Sequence, residues 1–231
     1  MHAEIDHLVI AAARLDEGVQ WCEAALGVTP GAGGAHPLMG THNRLLTLAG
    51  AGFPRCYLEI IAIDPGQRPA RGAGQRRWFD LDDPALQADL AANGPRLVHL
   101  AARVPDAHAA VRALAAEPLR IDRGEVLQAS RETPAGRLEW QITVRDDGRR
   151  LFDGALPTLI QWGPVHPADA MPASGITLTD LGASHPRADE LRTALATIGL
   201  SHAIEVFAGA PNLIATLETP RGRVVLASKG H

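Results

Sequence analysis

The chain has 231 residues, 46% of them hydrophobic, a formal net charge of −4 and two cysteines. That is enough apolar material for one large core or two small ones, and the mild negative charge, with basic residues clustered only around Arg68 to Arg77, excludes the electrostatic footprint of a nucleic-acid binder. No apolar run approaches the length of a membrane span, MHAEIDH lacks a signal-peptide pattern, and Cys22 and Cys56 have neither metal-ligand nor disulfide-framework spacing; the reading is a cytoplasmic protein that handles a small molecule.

Residues 4–13 read as a strand, and RLDEGVQWCEAALG follows as a helix with Leu15, Val19, Cys22 and Leu26 on one face, stopped by Gly27. A glycine-rich loop, GAGGAHPLMGTHN, precedes two β-rich runs, RLLTL from Arg44 and CYLEIIAI from Cys56. With a short strand inside the loop, the first 64 residues spell βαβββ. After a Pro/Gly/Arg loop and a short helix in DDPALQADLAANG, with Leu86 and Leu90 inward, a second round begins. RLVHLAARV at 96–104 is its first strand, Pro105 opens a helix carrying Val111 and Leu114, and strands follow at EVLQASRE, RLEWQITV and TLIQW. GPVHPADAMPASG reads as a linker to a third round.

The third round is the clearest repeat, because LTDLGASHPRADEL (178–191) lies on IDHLVIAAARLDEG (5–18) without a gap, matching Arg14, Asp16 and Glu17 with Arg187, Asp189 and Glu190. Its helix carries Leu191, Leu195 and Ile198 and ends at Gly199; IEVFA, NLIATLE and RVVLAS follow, the last two joined by a TPRG turn that echoes TPAG at 133–136.

A histidine interrupts the first apolar strand. Alternation puts His7 on one face with Ile5 and Val9, and Asp6, Leu8 and Ile10 on the other. Aligning IDHLVI with LVHLAA sets His99 opposite His7, and aligning YLEIIA with LIQWGP sets Gln161 opposite Glu59. If the rounds pack about a pseudo-twofold axis, these four polar side chains converge. A divalent cation would then neutralise Glu59 and satisfy both imidazoles and the amide; two nitrogens, a carboxylate and an amide suit Zn, Ni, Fe or Mn better than calcium.

IDHLVI, GGAHPLMGTHNRLL and YLEIIAID resemble the glyoxalase-like domain family of the vicinal oxygen chelate superfamily, densely over residues 4–64, diffusely to about Gly163 and weakly beyond. The resemblance implies an α+β fold in which repeated βαβββ modules form an open cupped mixed sheet with helices outside. It divides the chain into a paired core at 1–165 and a third βαβββ-like module at 174–231. It implies a divalent transition metal held by His7, Glu59, His99 and Gln161, although a glutamate is usual at the position of Gln161. The third round offers only Asp180 and Leu226 at those positions and is expected to be scaffold or a homodimer contact.

The function implied is a metal-dependent lyase, isomerase or dioxygenase on a small oxygenated substrate. Glu59 is its candidate base, His36 and His42 are further candidates for proton transfer, and His36, Thr41, Asn43 and Trp162 are substrate contacts. Two alternatives stay open. A metal-free protein that sequesters a small molecule would keep the cup open without a cation, and a purely structural domain would fill it.

Overall fold

The computed structural model describes residues 2–133 and 136–230. The centre of the TPAG turn, at 134–135, lies outside the described residues. Among the described residues twelve strands and four α-helices run in the order β1 (Glu4–Ala11), α1 (Leu15–Leu26), β2 (Ala35–His36), β3 (Thr41–Thr47), β4 (Tyr57–Ile63), α2 (Pro84–Asn93), β5 (Arg96–Arg103), α3 (Ala107–Ala115), β6 (Glu125–Thr133), β7 (Gly136–Val144) and β8 (Thr158–Trp162), then β9 (Thr177–His185), α4 (Ala188–Ile198), β10 (Glu205–Ala208), β11 (Asn212–Thr219) and β12 (Gly222–Ala227). The fold is α+β.

The first two rounds make one eight-stranded sheet, β2-β3-β4-β1-β5-β8-β7-β6. Its halves mirror each other about the central antiparallel pair β1 and β5: each first strand takes its own round's last strand as a parallel partner, β4 for β1 and β8 for β5. Reciprocal pairing of His7 with Ala101 and of Val9 with His99 makes the two histidines true equivalents about the local twofold.

Alternation along β1 fails at one point, and it matters for the site. Ile5 pairs with Ala102 and His7 with Ala101, so Asp6 is an extra, bulged residue. Ile5 therefore packs with Leu8 and Ile10 on the helix side, while His7 and Val9 face the cup. Val98 on β5 and Thr179 on β9 are bulged at the equivalent positions. The repeat thus conserves a backbone irregularity as well as a residue pattern.

Each face of the large sheet has its own core. On the convex side Leu8, Ile10, Leu58 and Ile60 pack under Leu15, Cys22 and Leu26 of α1, and Leu100 and Ala102 under Ala107 and Leu114 of α3. Gly18 of α1 is where helix and strand touch most closely, since a Cβ there would lie 2.4 Å from Ile60 Cγ2. A helical Gly→Ala change ordinarily stabilises by about 1 kcal/mol. Here Gly18→Ala is expected to destabilise by about 1–3 kcal/mol, because overpacking outweighs propensity; a urea midpoint at or above that of the wild type would contradict this.

Helix α3 starts later than Pro105 suggests. Asp106 is its N-cap, accepting from the Ala109 N–H at 2.8 Å, and Gln161 Oε1 accepts from the Ala107 N–H at 2.9 Å.

The third round keeps the predicted element order but pairs differently. Its sheet runs β10-β9-β11-β12, so β9 takes β10 as its parallel partner and β12 never meets β9. Leu226 is accordingly not beside Asp180. Ile176, Leu178, Leu181 and Leu213 join Ile5, Leu46, Leu48 and Phe53 in the convex-side core, and the Leu178 N–H donates to Leu48 O at 3.0 Å.

Candidate active site

The bulge at Asp6 builds the first part of the site. Its carboxylate is buried at 1% exposure and accepts three hydrogen bonds: from His7 Nδ1 at 2.7 Å, Trp162 Nε1 at 2.9 Å and His166 Nε2 at 2.9 Å. Without the extra residue Asp6 would face the helices, out of reach of the ring beside it. His166 comes from the stretch read as a linker; it is buried, and its Nδ1 accepts from the Ala168 N–H at 3.1 Å, which fixes the proton on Nε2.

With Nδ1 tied to Asp6, His7 presents Nε2 to Glu59, 3.5 Å from Oε2, while its ring stacks on Tyr57 at 4.7 Å. Glu59 Oε1 accepts from Asn43 Nδ2 at 2.6 Å. The Asn43 amide is fully used, because Nδ2 also donates to His36 Nε2 at 3.3 Å and Oδ1 accepts from the Gly34 N–H at 2.8 Å. His36 then donates through Nδ1 to Thr41 Oγ1 at 3.1 Å. Thr41 and Asn43 reach this side by alternation along β3, which sends His42 the other way, into a groove beside α1 with Arg14, Val19 and Arg44. His42 does not share the hollow.

The hollow has a volume of about 30 Å³ and is lined by His7, His36, Asn43, Tyr57 and Glu59 together with Trp78, Phe79, Arg131, Trp140 and Trp162. Two polar atoms of its walls, Arg131 Nη1 and Trp78 Nε1, are buried with no hydrogen-bond partner among the described residues. Gly34 is what allows Arg131 to lie there, since a Cβ at that position would come within 2.4 Å of Nη1.

His99 lies in the other half of the cup. Trp78 and Phe79 line both halves and divide them; Phe79 sits 5.2 Å from the His99 ring. Both nitrogens of His99 are engaged, Nδ1 donating to Gly154 O at 2.8 Å and Nε2 accepting from the hydroxyl and N–H of Thr158 at 2.9 and 3.2 Å. Gln161 is on the opposite face, capping α3. Pairing of Val9 with Glu59 and of Ala101 with Thr158 makes Thr158 the equivalent of Glu59. The expected four-donor convergence is therefore not formed: two donors meet, a third is walled off and saturated, and the fourth points to the helices. Among the described residues no cluster of three or more His, Cys, Asp or Glu is arranged to hold a metal ion.

Burial works against charge on His7, but the Asp6 hydrogen bond and the carboxylates of Asp6 and Glu59 outweigh it and raise its pKa above 6.5. Asp6 is held well below the usual carboxylate range; burial alone would raise it, and the hydrogen bonds from His166 and His7, with the charge of His7, reverse that. Burial lowers His36 from 6.5 to about 4 despite Glu59. His36 is thus neutral in the fold and charged in the unfolded chain below pH 6.5, so its contribution to stability is complete above 6.5 and is lost as pH falls towards 4. The loss is about 3 kcal/mol. Urea unfolding at pH 7 and pH 4.5 should show it, and His36→Asn should flatten the dependence; an unchanged slope in the variant would refute the assignment.

With this geometry in view, the sequence matches the glyoxalase-like domain over residues 5–199. The chain belongs to the glyoxalase-like domain family. The match runs through β9 and α4, well past the region of dense resemblance. No protein of curated function matches the sequence. Among solved structures, a hypothetical protein from Staphylococcus aureus is 13% identical with a TM-score of 0.57, covering 97% of this chain and 85% of its own. Methylmalonyl-CoA epimerase from Mycobacterium tuberculosis is 19% identical with a TM-score of 0.39, covering 70% of this chain and 88% of its own. A single-substitution variant of the Streptomyces coelicolor epimerase, in complex with 2-nitronate-propionyl-CoA, gives 19% and 0.41 over 72% and 99%. The first of these likenesses concerns the fold alone. Among the described residues no helix is long and apolar enough to cross a membrane. The metal that the family resemblance implies is not matched by this glyoxalase-like chain's donor set, in which only His7 and Glu59 face each other.

Proposed function

We propose that this glyoxalase-like chain is an acid–base enzyme, an isomerase or lyase, that moves a proton at the carbon next to a carbonyl or carboxylate in a small oxygenated anion, and that it does so with side chains of the first half-cup. The observation that carries the reading is the Asp6–His7–Glu59 relay, in which a proton donor and a carboxylate face each other across 3.5 Å beside an unpaired arginine nitrogen.

The roles follow from the contacts. Glu59, aimed by Asn43, takes the proton as the C–H bond breaks; the electron pair moves onto the substrate oxygen, and protonated His7 donates a hydrogen bond to that developing enolate. Asp6 keeps His7 charged and oriented. Returning the proton from Glu59 to a neighbouring carbon on the same face completes an isomerisation; departure of a β-leaving group, which takes up the proton held by Glu59, completes a lyase reaction. Arg131 Nη1 and Trp78 Nε1 are the donors left for the substrate's carboxylate; the hollow of about 30 Å³ holds only a water or two, so the Trp78–Phe79 wall must move aside when the substrate enters.

Deuterium incorporation from D2O into a panel of 2-oxo and 2-hydroxy carboxylates, followed by NMR, tests the proposal. Exchange at the carbon next to the oxygenated centre, lost in Glu59→Gln, is the expected result. Saturable binding of the same compounds with no exchange would instead make this a metal-free sequestering protein, and neither exchange nor binding would overturn the site.

A further inference from the structure

The second half-cup contains a buried cation with no ion-paired carboxylate among the described residues; only the neighbouring Asp122 offsets its charge, from outside hydrogen-bonding reach. Arg123, just before β6, is 3% exposed. Its Nη2 donates to Thr158 Oγ1 at 3.1 Å, but its Nε is buried with no hydrogen-bond partner, and among the described residues no carboxylate is ion-paired with it. The acidic side chains of this region are committed to other arginines: Asp122 and Asp147 to Arg145 at 3.0 and 2.9 Å, and Asp80 to Arg150 at 2.8 Å. His99 beside it is kept neutral by burial and by Arg123 itself. A guanidinium withdrawn from water with neither a full set of acceptors nor a paired opposite charge is costly, and a native fold that keeps one has something to put against it.

The space available says what. Arg123, His99, Thr143 and Thr158, with Arg145, Arg149 and Arg150, surround a cavity of about 10 Å³, which is about the least that holds one water-sized body. Thr143 Oγ1 accepts from the Leu159 N–H at 3.0 Å, leaving its hydroxyl hydrogen to donate. A carboxylate or phosphate is much larger than this space, whereas a halide, only slightly wider than water, needs a small outward shift of the lining side chains. We propose that this half-cup binds one chloride-sized monovalent anion, held by Arg123 Nε and the Thr143 hydroxyl, which neutralises Arg123 and fixes the wall between the two halves. The site is separate from the acid–base pair and does not depend on its role.

Thermal unfolding in sodium gluconate, with chloride or bromide substituted at constant ionic strength, reads the site out. A saturable rise in Tm is expected with either halide, absent in Arg123→Met; Thr143→Val should need about tenfold more halide for half-saturation, the loss of one charge-assisted hydrogen bond. Crystals grown from sodium bromide should show an anomalous peak beside Arg123 Nε. Equal Tm in gluconate and halide, or a halide effect unchanged in Arg123→Met, overturns the proposal. If Arg123→Met does not fold, the bromide peak decides: present it supports the site, absent it refutes it.

Discussion

Glu59→Gln is expected to lower the rate of proton exchange about 10²–10⁴-fold, the usual contribution of a positioned general base, with little change in KM. The amide keeps the shape of the carboxylate and can still accept from Asn43 Nδ2, so folding should be preserved; near-wild-type exchange in a folded variant would remove Glu59 from the mechanism. The pH profile gives an independent check. His7 must carry its proton, and its raised pKa means that activity persists above pH 6.5 before declining on the alkaline side. Asp6→Asn removes the negative charge that holds the proton, so the alkaline limb should move to lower pH.

Asp6→Ala should be the most damaging single substitution for stability. The carboxylate is the common acceptor for His7, Trp162 and His166, and its loss leaves three buried donors unsatisfied and a charged imidazole without its partner. Breaking a buried charged network in this way costs about 3–5 kcal/mol, a large share of the roughly 5–15 kcal/mol by which domains are stable. In a chain of this size the melting temperature should fall by roughly 10 °C. A shift of a degree or two would mean that water replaces the carboxylate and that the relay is looser than its distances indicate.

The modules were legible because strand and helix periodicities differ and the rounds repeat in register. His7 and Glu59 were legible because polar side chains stand out on apolar strands. Asp6 was hidden by the same rule that exposed His7: strict alternation sends neighbours to opposite faces, and only a bulge, which leaves no mark in residue type, brings the carboxylate round. Gln161 shows the converse. TLIQW is apolar on both faces, so nothing in it fixes register, and sliding the alignment by an odd number of residues turns the wrong side chain inward. Pairing of β8 with β5 makes Thr158 the equivalent of Glu59. Arg131 and Trp78 gave no signal, since one lies on a polar-patterned strand and the other in a loop whose path across the cup depends on tertiary packing. The third round's pairing was equally invisible, because the first strand after its helix, β10, takes the place beside β9 that a last strand holds in the other rounds.

The most direct test of the central claim, that Asp6, His7 and Glu59 suffice without the four-donor chelate, is deuterium exchange by protein dialysed against EDTA. An undiminished rate is expected, unaltered by added zinc, nickel, iron or manganese and unaffected by Gln161→Ala. Exchange that disappears on chelation and returns with one equivalent of a transition metal would contradict it.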